Sequence, residues 1–387
     1  MKVKVSFFGL SDMLKFKNLK KNRLEAINNS KVKEYKSYRV NELADYYHPH
    51  KQYLKIDKIA EENNDTKSFY LVPDGETTKL AYFKSGSYVS LFVNVDNNIV
   101  SRAYAISSSP SEALKGIYRI TIKRKEGGYL SNYLLDNAKV GDKLFASEPG
   151  GFLTHSSIRD ANDVIAVAGR VGITPFISMA NAIKDGIEHF NLTILYGVNS
   201  LKDVILKDEL DELTKTCEKV KVVYVVCNET VEGYEKGFIT ADIIKKYAPS
   251  DKPYSVFVSG PNAMFDFLAG EFKKLNLPNK YIRLEKSPET LSLGNKEFNL
   301  VVHMEDQTFN LIAKQNETVL NALERNDVLI RSKCHLGGCG FCRSKIIKGE
   351  IQTTKLNKQA DIDKKFGYFH PCCSYPMSDL EIEVYKY

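Results

Sequence analysis

The cysteines of this 387-residue chain are concentrated near its carboxyl end, and their placement constrains the fold more than any other feature. Five of the seven cysteines fall within the last 54 residues. An odd number of thiols does not suit a disulfide framework, and the start of the chain has no secretory pattern. In a cytoplasmic protein such a group of thiols more commonly binds metal. The sequence therefore predicts a cytoplasmic protein with a metal site in its last domain.

Four cysteines have the spacing of an iron–sulfur ligand set. Cys334, Cys339 and Cys342 form a C-x4-C-x2-C loop, and Cys372 follows thirty residues after Cys342. This is the plant-type [2Fe–2S] pattern, whereas zinc sites usually combine two short cysteine pairs. We predict these four residues as the ligands of a [2Fe–2S] cluster. Cys373 is adjacent to Cys372 and competes with it as the fourth ligand.

The residues around this loop predict a small domain of the β-grasp type over 297–387. Alternating apolar residues predict paired strands before the loop and a closing strand after it, with a short helix starting near Thr318. Three glycines inside the loop allow the backbone to wrap tightly around a cluster. A mostly polar stretch at 286–296 predicts a linker to the preceding domain.

Residues 48–153 contain many short alternating runs, which predict a small antiparallel barrel. Within them, Arg102 offers donors for a phosphate, and Tyr104 offers a flat ring for an isoalloxazine face. Gly128 precedes a predicted helix, whose first N–H groups suit a pyrophosphate. Each of these features is common by itself.

Residues 154–285 have a different pattern, in which apolar runs alternate with helical stretches. This pattern predicts a parallel sheet with helices on both faces. A glycine-rich turn follows the first run at Gly169, and a second turn follows the last run at Gly260. Such sheets bind nucleotides at the carboxyl ends of their strands, so these turns predict a dinucleotide site.

Taken in order, these motifs resemble those of the ferredoxin–NADP reductase superfamily. The closer resemblance is to NAD(P)H-dependent flavin reductases with a C-terminal [2Fe–2S] domain, such as hybrid-cluster-protein reductases and the reductase components of ring-hydroxylating oxygenases. The resemblance covers about residues 48–387 and implies a multidomain fold of α+β and α/β parts. Its expected domains are an antiparallel Greek-key flavin barrel (48–153), a doubly wound parallel-sheet nucleotide domain (154–285) and a β-grasp ferredoxin domain (297–387).

The resemblance also implies roles for individual residues, with Ser259 as the nearest candidate for an assisting catalytic role beside the nicotinamide. Its implied flavin contacts are Arg102, Tyr104 and the backbone of Ala105, with Gly128, Leu130 and Ser131 at the flavin phosphates. Its implied nicotinamide-nucleotide contacts are Gly169, Gly172, Thr174, Pro175, Gly260, Pro261 and Met264.

Three residues depart from the family pattern. Ala105 stands where Ser or Thr is usual, which removes one hydroxyl contact to the flavin. Arg170 replaces the second glycine of the phosphate loop and either contacts a cofactor phosphate or faces solvent. Ser259 stands where the family often has Cys, so a small polar group is kept beside the nicotinamide.

The expected activity is an electron relay. NAD(P)H gives a hydride to the flavin, and the [2Fe–2S] cluster passes single electrons to an acceptor protein. The motifs favour FAD over FMN, and the lack of a basic cluster after Tyr196 favours NADH over NADPH. The alternatives are the reductase component of a multicomponent oxygenase and a redox-sensing module with little turnover.

The first 47 residues lie outside the resemblance and are basic. Residues 1–39 hold eleven Lys and Arg against three acidic residues, in a chain of net charge +7. Such an extension is either a solvated face or a site for an acidic partner or an anionic membrane surface. We expect no nucleic-acid binding, because no reader motif accompanies the charge. No apolar run is long enough for a membrane span.

Overall fold

The structure is a computed structural model, and it divides into two compact units, Met1–Leu43 and Ala44–Tyr387. It describes residues 18–30, 38–95, 98–126, 128–286 and 288–385. The first described helix is α1 (Leu19–Asn28), and residues 1–17 and 31–37 of the basic extension lie outside the described residues. Helix α2 (Arg39–Tyr47) follows. No helix in the described ranges is long and apolar enough to cross a membrane.

The first sheet of the larger unit is antiparallel and has the strand order β4-β3-β6-β1-β2-β5. An isolated bridge between Ile106 and Ile120 also connects the chain just after β4 with β5. Buried residues alternate with exposed ones along β1, as expected for a strand with one face on a core. The elements of this part are β1 (Gln52–Asn63), β2 (Thr66–Pro73), β3 (Tyr88–Val95), β4 (Asn98–Ala105), β5 (Tyr118–Lys123), β6 (Lys143–Ala146), α3 (Pro110–Leu114) and α4 (Tyr129–Asn137).

The second sheet is parallel and has the order β10-β9-β8-β7-β11-β12. Its strands are nearly continuous apolar runs because separate hydrophobic cores cover both of its faces. The strand order reverses between β7 and β11, and ligands bind at such a switch point. The elements are β7 (Asp163–Gly169), β8 (Asn191–Val198), β9 (Val220–Val226), β10 (Glu235–Lys236), β11 (Tyr254–Gly260), β12 (Ile282–Lys286), α5 (Thr174–Lys184), α6 (Lys207–Thr216), α7 (Ala241–Tyr247) and α8 (Asn262–Lys273).

The third sheet is mixed, with the order β14-β13-β19-β15-β17 and a parallel pair formed by β13 and β19. One helix packs against it and begins at Thr318, whose hydroxyl accepts a hydrogen bond from the Asn321 N–H at 3.2 Å. The elements are β13 (Glu297–Met304), β14 (Gln307–Lys314), β15 (Ser344–Lys348), β16 (Ile351–Thr353), β17 (Tyr368–Phe369), β18 (Ser374–Pro376), β19 (Leu380–Val384), α9 (Val319–Arg325) and α10 (Asp361–Lys365).

An ion pair between a buried arginine and a half-buried glutamate joins β5 of the first sheet to helix α6 beside the second sheet. Arg119 on β5 donates to both carboxylate oxygens of Glu209 on α6, at 2.6 and 3.0 Å. The Asn181 amide on α5 donates to the same carboxylate at 2.6 Å. The Arg119 side chain is 9% exposed, so little water is available to replace this partner. The paired, planar geometry therefore fixes how the two sheets are oriented at this contact.

We expect Glu209→Ala to lower the free energy of unfolding by about 3 kcal/mol, because it leaves a buried guanidinium without its carboxylate. Urea unfolding followed by circular dichroism measures the change. Glu212→Ala, on the exposed side of the same helix, is the matched control and should shift the value by less than about 0.5 kcal/mol. Equal effects of the two substitutions would contradict a structural role for the pair.

Candidate functional site

At the switch point of the parallel sheet, the turns that follow β7 and β11 pack very closely against one another. A Cβ atom on Gly172 would lie 2.2 Å from the Ser259 carbonyl oxygen, and one on Gly260 would lie 2.4 Å from the Met264 methyl carbon. A Cβ on Gly169 would meet the Met264 sulfur at 2.8 Å and Pro261 at 2.9 Å. The structure thus brings these predicted nucleotide residues together in one place, and their spacing requires glycine.

Helix α5 begins beside this backbone cluster. Thr174 is the first residue of the helix and donates from its hydroxyl to the Val171 carbonyl at 3.0 Å. Pro175 follows within the first turn, and no described side chain caps the helix. A 3-10 turn (Arg170–Ile173) leads directly into α5, the Thr174 N–H is already bonded to the Val171 carbonyl, and Pro175 has no N–H, so the start of α5 contributes the positive end of its dipole toward the switch point. Arg170, with a φ of 52°, is exposed to solvent.

Ser259 has an acidic neighbour that the sequence reasoning missed. Ser259 is 7% exposed and lies between Ala168 on β7 and Glu285 on β12 in the parallel ladder. Burial raises the pKa of the Glu285 carboxyl to about 7. The one sequence signal was its position near the end of the last strand, because parallel strands place their carboxyl ends at a common edge.

The predicted flavin residues of β4 are split between two environments. Tyr104 packs against the core of the first sheet, and burial raises the pKa of its hydroxyl. Ala105 is paired with Tyr88 on β3. Arg102 instead extends to helix α9, where it forms an ion pair with Glu324 at 3.2 Å. The arginine that the sequence assigned to a flavin phosphate thus has a carboxylate partner in the last domain.

The turn before helix α4 also needs a glycine. A Cβ on Gly128 would lie 2.5 Å from the Ser131 hydroxyl and 2.9 Å from the Lys125 side chain. Gly128 is the N-cap residue of α4, and no described side chain caps the start of this helix. Leu130 is buried in the core of the first sheet, so its contact with a phosphate would have to come from the backbone.

Three residues of the cysteine loop have backbone dihedral angles in the left-handed region. His335, Gly337 and Gly340 have φ values of 54°, 72° and 75°. A Cβ on Gly337 would lie 2.5 Å from the Cys373 sulfur, so this position requires glycine. The Leu336 N–H points at the Cys334 sulfur, 3.4 Å away. The winding of the loop therefore turns backbone donors toward a sulfur, as an iron–sulfur site requires.

The predicted cluster thiols contact one another. Cys334 hydrogen-bonds to Cys339 and Cys372, and the first of these contacts is the largest cause of a lowered Cys334 pKa. Cys372 also contacts Cys342. Among the described residues no three His, Cys, Asp or Glu side chains surround a single metal position. A [2Fe–2S] cluster does not need such an arrangement, because four thiolates hold two irons between them. The residues present therefore fit the cluster.

Cys373 has a different environment from its neighbour. Its sulfur lies beside Gly337 and 3.5 Å from the His370 carbonyl oxygen. Thr354 and Ser374 also hydrogen-bond to it, and among the cysteines it hydrogen-bonds to Cys372. Cys372, by contrast, hydrogen-bonds to two of the loop cysteines, Cys334 and Cys342. The geometry thus favours Cys372 over Cys373 as the fourth member of the set.

The cluster loop lies against the first sheet. Ser90 on β3 donates to the Lys333 carbonyl at 2.5 Å, and Ser101 on β4 is hydrogen-bonded to His335 Nε2 at 3.2 Å. Burial lowers the pKa of His335 to about 3, so its ring is neutral. Both residues that flank Cys334 are therefore held by the strands that carry the predicted flavin motif.

Two further contacts surround the same interface. Lys333 forms an ion pair with Glu148, which follows β6, at 2.8 Å. Tyr88 on β3 is half-buried, and burial followed by the nearby charges of Cys334 and Cys339 raises the pKa of its hydroxyl. Glu285 contributes to the same effect. Tyr88 is thus a common neighbour of the flavin strand, the cysteine loop and the end of the nucleotide sheet.

Comparisons with known proteins match all three parts of the chain. Residues 53–155 match the oxidoreductase FAD-binding domain, residues 166–269 the oxidoreductase NAD-binding domain, and residues 302–377 the 2Fe-2S iron-sulfur cluster binding domain. The chain belongs to the ferredoxin–NADP reductase superfamily, among its flavin reductases with a C-terminal [2Fe–2S] ferredoxin domain. It is an oxidoreductase of electron transfer that uses a nicotinamide nucleotide, FAD and a [2Fe–2S] cluster.

Similar proteins span most of this reductase. The glycine betaine monooxygenase reductase subunit of Pseudomonas aeruginosa is 27% identical over 84% of this chain and 93% of its own length. The NADH oxidoreductase HCR of Escherichia coli is 27% identical over 77% of this chain and 88% of its own length. The solved structure of phthalate dioxygenase reductase is also similar, with a TM-score of 0.63 and 24% sequence identity. The match covers 86% of this chain and 97% of the phthalate dioxygenase reductase chain. That similarity shows the fold.

We expect Gly172→Ala to weaken NADH binding at least tenfold and to destabilise the reductase by about 1–3 kcal/mol, because its Cβ overlaps the Ser259 carbonyl. The KM for NADH with ferricyanide and the thermal midpoint measure these effects. Gly270→Ala, in helix α8 with no heavy atom within 4 Å of the new Cβ, is the control and should stabilise by up to about 1 kcal/mol. A normal KM in Gly172→Ala would contradict the close packing.

We expect the folding stability to fall as pH rises from about 4.5 to about 7, since the native state holds a proton on Glu285 that the unfolded chain releases. The contribution of this proton to the free energy of unfolding is fully present at low pH and is lost as the pH rises through the pKa of Glu285 in the folded protein. Glu285→Gln should remove this part of the slope, worth up to about 3 kcal/mol. Urea unfolding at pH 5 and pH 8 tests it, with Glu212→Gln as the exposed control. Identical slopes in the Glu285→Gln and unaltered proteins would refute it.

Proposed function

We propose that this reductase supplies single electrons from its [2Fe–2S] domain to the oxygenase component of a multicomponent monooxygenase or dioxygenase. One structural observation carries the relay itself: the residues on both sides of Cys334 are hydrogen-bonded to β3 and β4. When bound, the flavin accepts the two electrons of a hydride and the cluster carries one electron at a time. The protein supplies the position of each group.

The choice of an oxygenase as acceptor is supported by the relatives. The P. aeruginosa relative is named as a monooxygenase reductase subunit. A second relative, from Rhodococcus rhodochrous, is named as the ferredoxin reductase component of 3-ketosteroid-9-alpha-monooxygenase and is 26% identical over 85% of this chain. Their names apply to those proteins, and the transfer to this chain is our proposal. The names of these relatives as reductase components also argue against the redox sensor. The cytoplasmic location and any membrane contact of the basic extension stay predictions.

For the cofactors, we propose the residues that the sequence named. Cys334, Cys339, Cys342 and Cys372 hold the cluster, supported by their mutual contacts. The flavin lies along β4 and the start of α4, with Arg102, Tyr104, Ala105, Gly128, Leu130 and Ser131. The nicotinamide nucleotide lies at the switch point, with Gly169, Gly172, Thr174, Pro175, Gly260, Pro261 and Met264. Ser259 orients the nicotinamide, and its neighbour Glu285 joins this set.

The preference for NADH has support after strand β8. Asp203 accepts hydrogen bonds from the Ser200 N–H and hydroxyl at 3.0 Å, and Glu229 accepts from the Leu201 N–H at 2.6 Å. In sheets of this kind the end of the second strand contacts the adenosine ribose, where an acid suits the 2′-hydroxyl of NADH. Two carboxylates there would repel the extra phosphate of NADPH. We therefore propose NADH as the electron donor.

The finer fold assignments are also proposals. We propose that the first sheet closes as a Greek-key barrel, supported by the Ile106–Ile120 bridge between the two ends of its strand order. We propose domain limits of 1–47, 48–153, 154–285 and 297–387, with a linker at 286–296. Strand β12 ends at Lys286 and strand β13 begins at Glu297, which agrees with a linker between them.

An anaerobic titration with NADH, followed by visible absorption and electron paramagnetic resonance, tests the relay. We expect bleaching of the flavin together with a rhombic [2Fe–2S] signal, and weaker reduction by NADPH at equal concentration. Reduction of neither group by either nucleotide would overturn the reductase and favour the sensor. A bleached flavin with a silent cluster would contradict the relay between them.

Cysteine variants in the same experiment test the ligand set. Cys372→Ser should abolish the cluster absorption and lower bound iron, whereas Cys373→Ser should keep about two irons per chain. Cys217→Ser, in the nucleotide domain, is the matched control and should leave the spectrum unchanged. Loss of the cluster in Cys373→Ser with retention in Cys372→Ser would reverse the assignment.

A further inference from the structure

Helix α9 of the ferredoxin domain lies against the open edge of strand β4. Strand β4 pairs with β3 on one side, and the Ile106–Ile120 bridge to β5 lies beyond its carboxyl end, so among the described residues the outer edge of β4 at Ser101 has no strand partner. The Ser101 N–H is one such group, and it donates to Glu324 Oε1 on α9 at 3.1 Å. An edge strand of the flavin domain is thus completed by a side chain from the ferredoxin domain.

The Glu324 carboxylate takes its described hydrogen bonds from the flavin domain. Its Oε1 also accepts from the Ser101 hydroxyl at 2.5 Å, and its Oε2 accepts from Arg102 Nη1 at 3.2 Å. One turn earlier on α9, Asn321 Oδ1 accepts from Arg102 Nη2 at 3.2 Å. Glu324 is 3% exposed, so water cannot take the place of these donors without opening the interface.

These contacts make the position of the ferredoxin domain specific. Hydrogen bonds to a carboxylate are stronger than neutral ones, and each is lost when donor and acceptor separate by about 1 Å. Ser101 also contacts His335, so the carboxylate on α9 and the cluster loop meet at one serine of β4. A shift of α9 along β4 would therefore move the cluster loop as well.

We propose that Glu324 is a positioning residue, which fixes the ferredoxin domain on strand β4 and so holds the cluster loop in place for electron transfer from the flavin. The inference rests on the proposed relay and deepens it. Neither the cluster ligands nor the flavin motif includes this residue. Its contact with Arg102 links the position of the cluster to that of the arginine predicted for the flavin phosphate.

Stopped-flow reduction by NADH under anaerobic conditions separates the two steps. In Glu324→Gln we expect flavin reduction at the unaltered rate, full flavin content, and cluster reduction about tenfold slower. Ser101→Ala removes one hydrogen-bond donor to Glu324 from the flavin domain. It should slow cluster reduction in the same way, and it provides the test if Glu324→Gln folds poorly. Glu317→Gln is the control, because Glu317 pairs with Arg325 inside the ferredoxin domain at 2.7 Å. It should behave as the unaltered protein.

Hydrogen exchange on the full-length protein gives a readout independent of turnover. The Ser101 amide and helix α9 should exchange about tenfold faster in Glu324→Gln and unchanged in Glu317→Gln. Unchanged exchange with unchanged cluster reduction would overturn the proposal. Loss of flavin, or slowing of both reduction steps, would also overturn it and would assign Glu324 to the flavin site. If the unaltered protein fails to reduce its cluster, the relay is refuted, while the exchange data still report on the docking.

Discussion

The contact of Ser101 with the ferredoxin domain is the constraint on which the arrangement of the redox sites depends. Strand β4 is an edge strand with buried backbone donors, and an edge of this kind must be covered or paired. Here the cover is a carboxylate from α9, and the same serine contacts the residue after Cys334. The strand that carries the flavin motif is therefore also the docking surface of the cluster. Satisfying one backbone group brings the strand proposed to hold the flavin and the cysteine loop into contact.

The nucleotide site follows a different principle, in which the essential feature is the absence of side chains. Gly169, Gly172 and Gly260 leave space where strand ends and the following turns approach within contact distance. This close packing lies at the carboxyl edge of the sheet, where sheets of this kind bind nucleotides. A hydride donor and a flavin need to be positioned against one another more than they need a side chain that takes part in the chemistry. That explains why Ser259 and Glu285 are the main polar groups near the switch point.

Much of this organisation was predictable because it is written in local sequence. The cysteine spacing, the turn glycines and the change from alternating to continuous apolar runs each depend on residues close together in the chain. The family comparisons confirm the three cofactor domains that these patterns predicted. Glu324 and Glu285 escaped prediction for a physical reason. Glu324 meets Ser101 across 223 positions of sequence, and Glu285 meets Ser259 through the register of a parallel strand pair. Neither contact leaves a periodic signal.

The pairing of Arg102 with Glu324 also changes what the flavin motif means in this chain. A buried ion pair adds little net stability, because removing both charges from water costs about as much as their attraction returns. Its value is geometric, since a misplaced Arg102 leaves the buried Glu324 without its charged partner. Burial raises the pKa of Glu324, and Arg102 and Ser101 oppose that rise. The arginine predicted to hold a flavin phosphate therefore also holds a domain, and the first sheet cannot be understood as a flavin site independent of the ferredoxin domain that covers its edge.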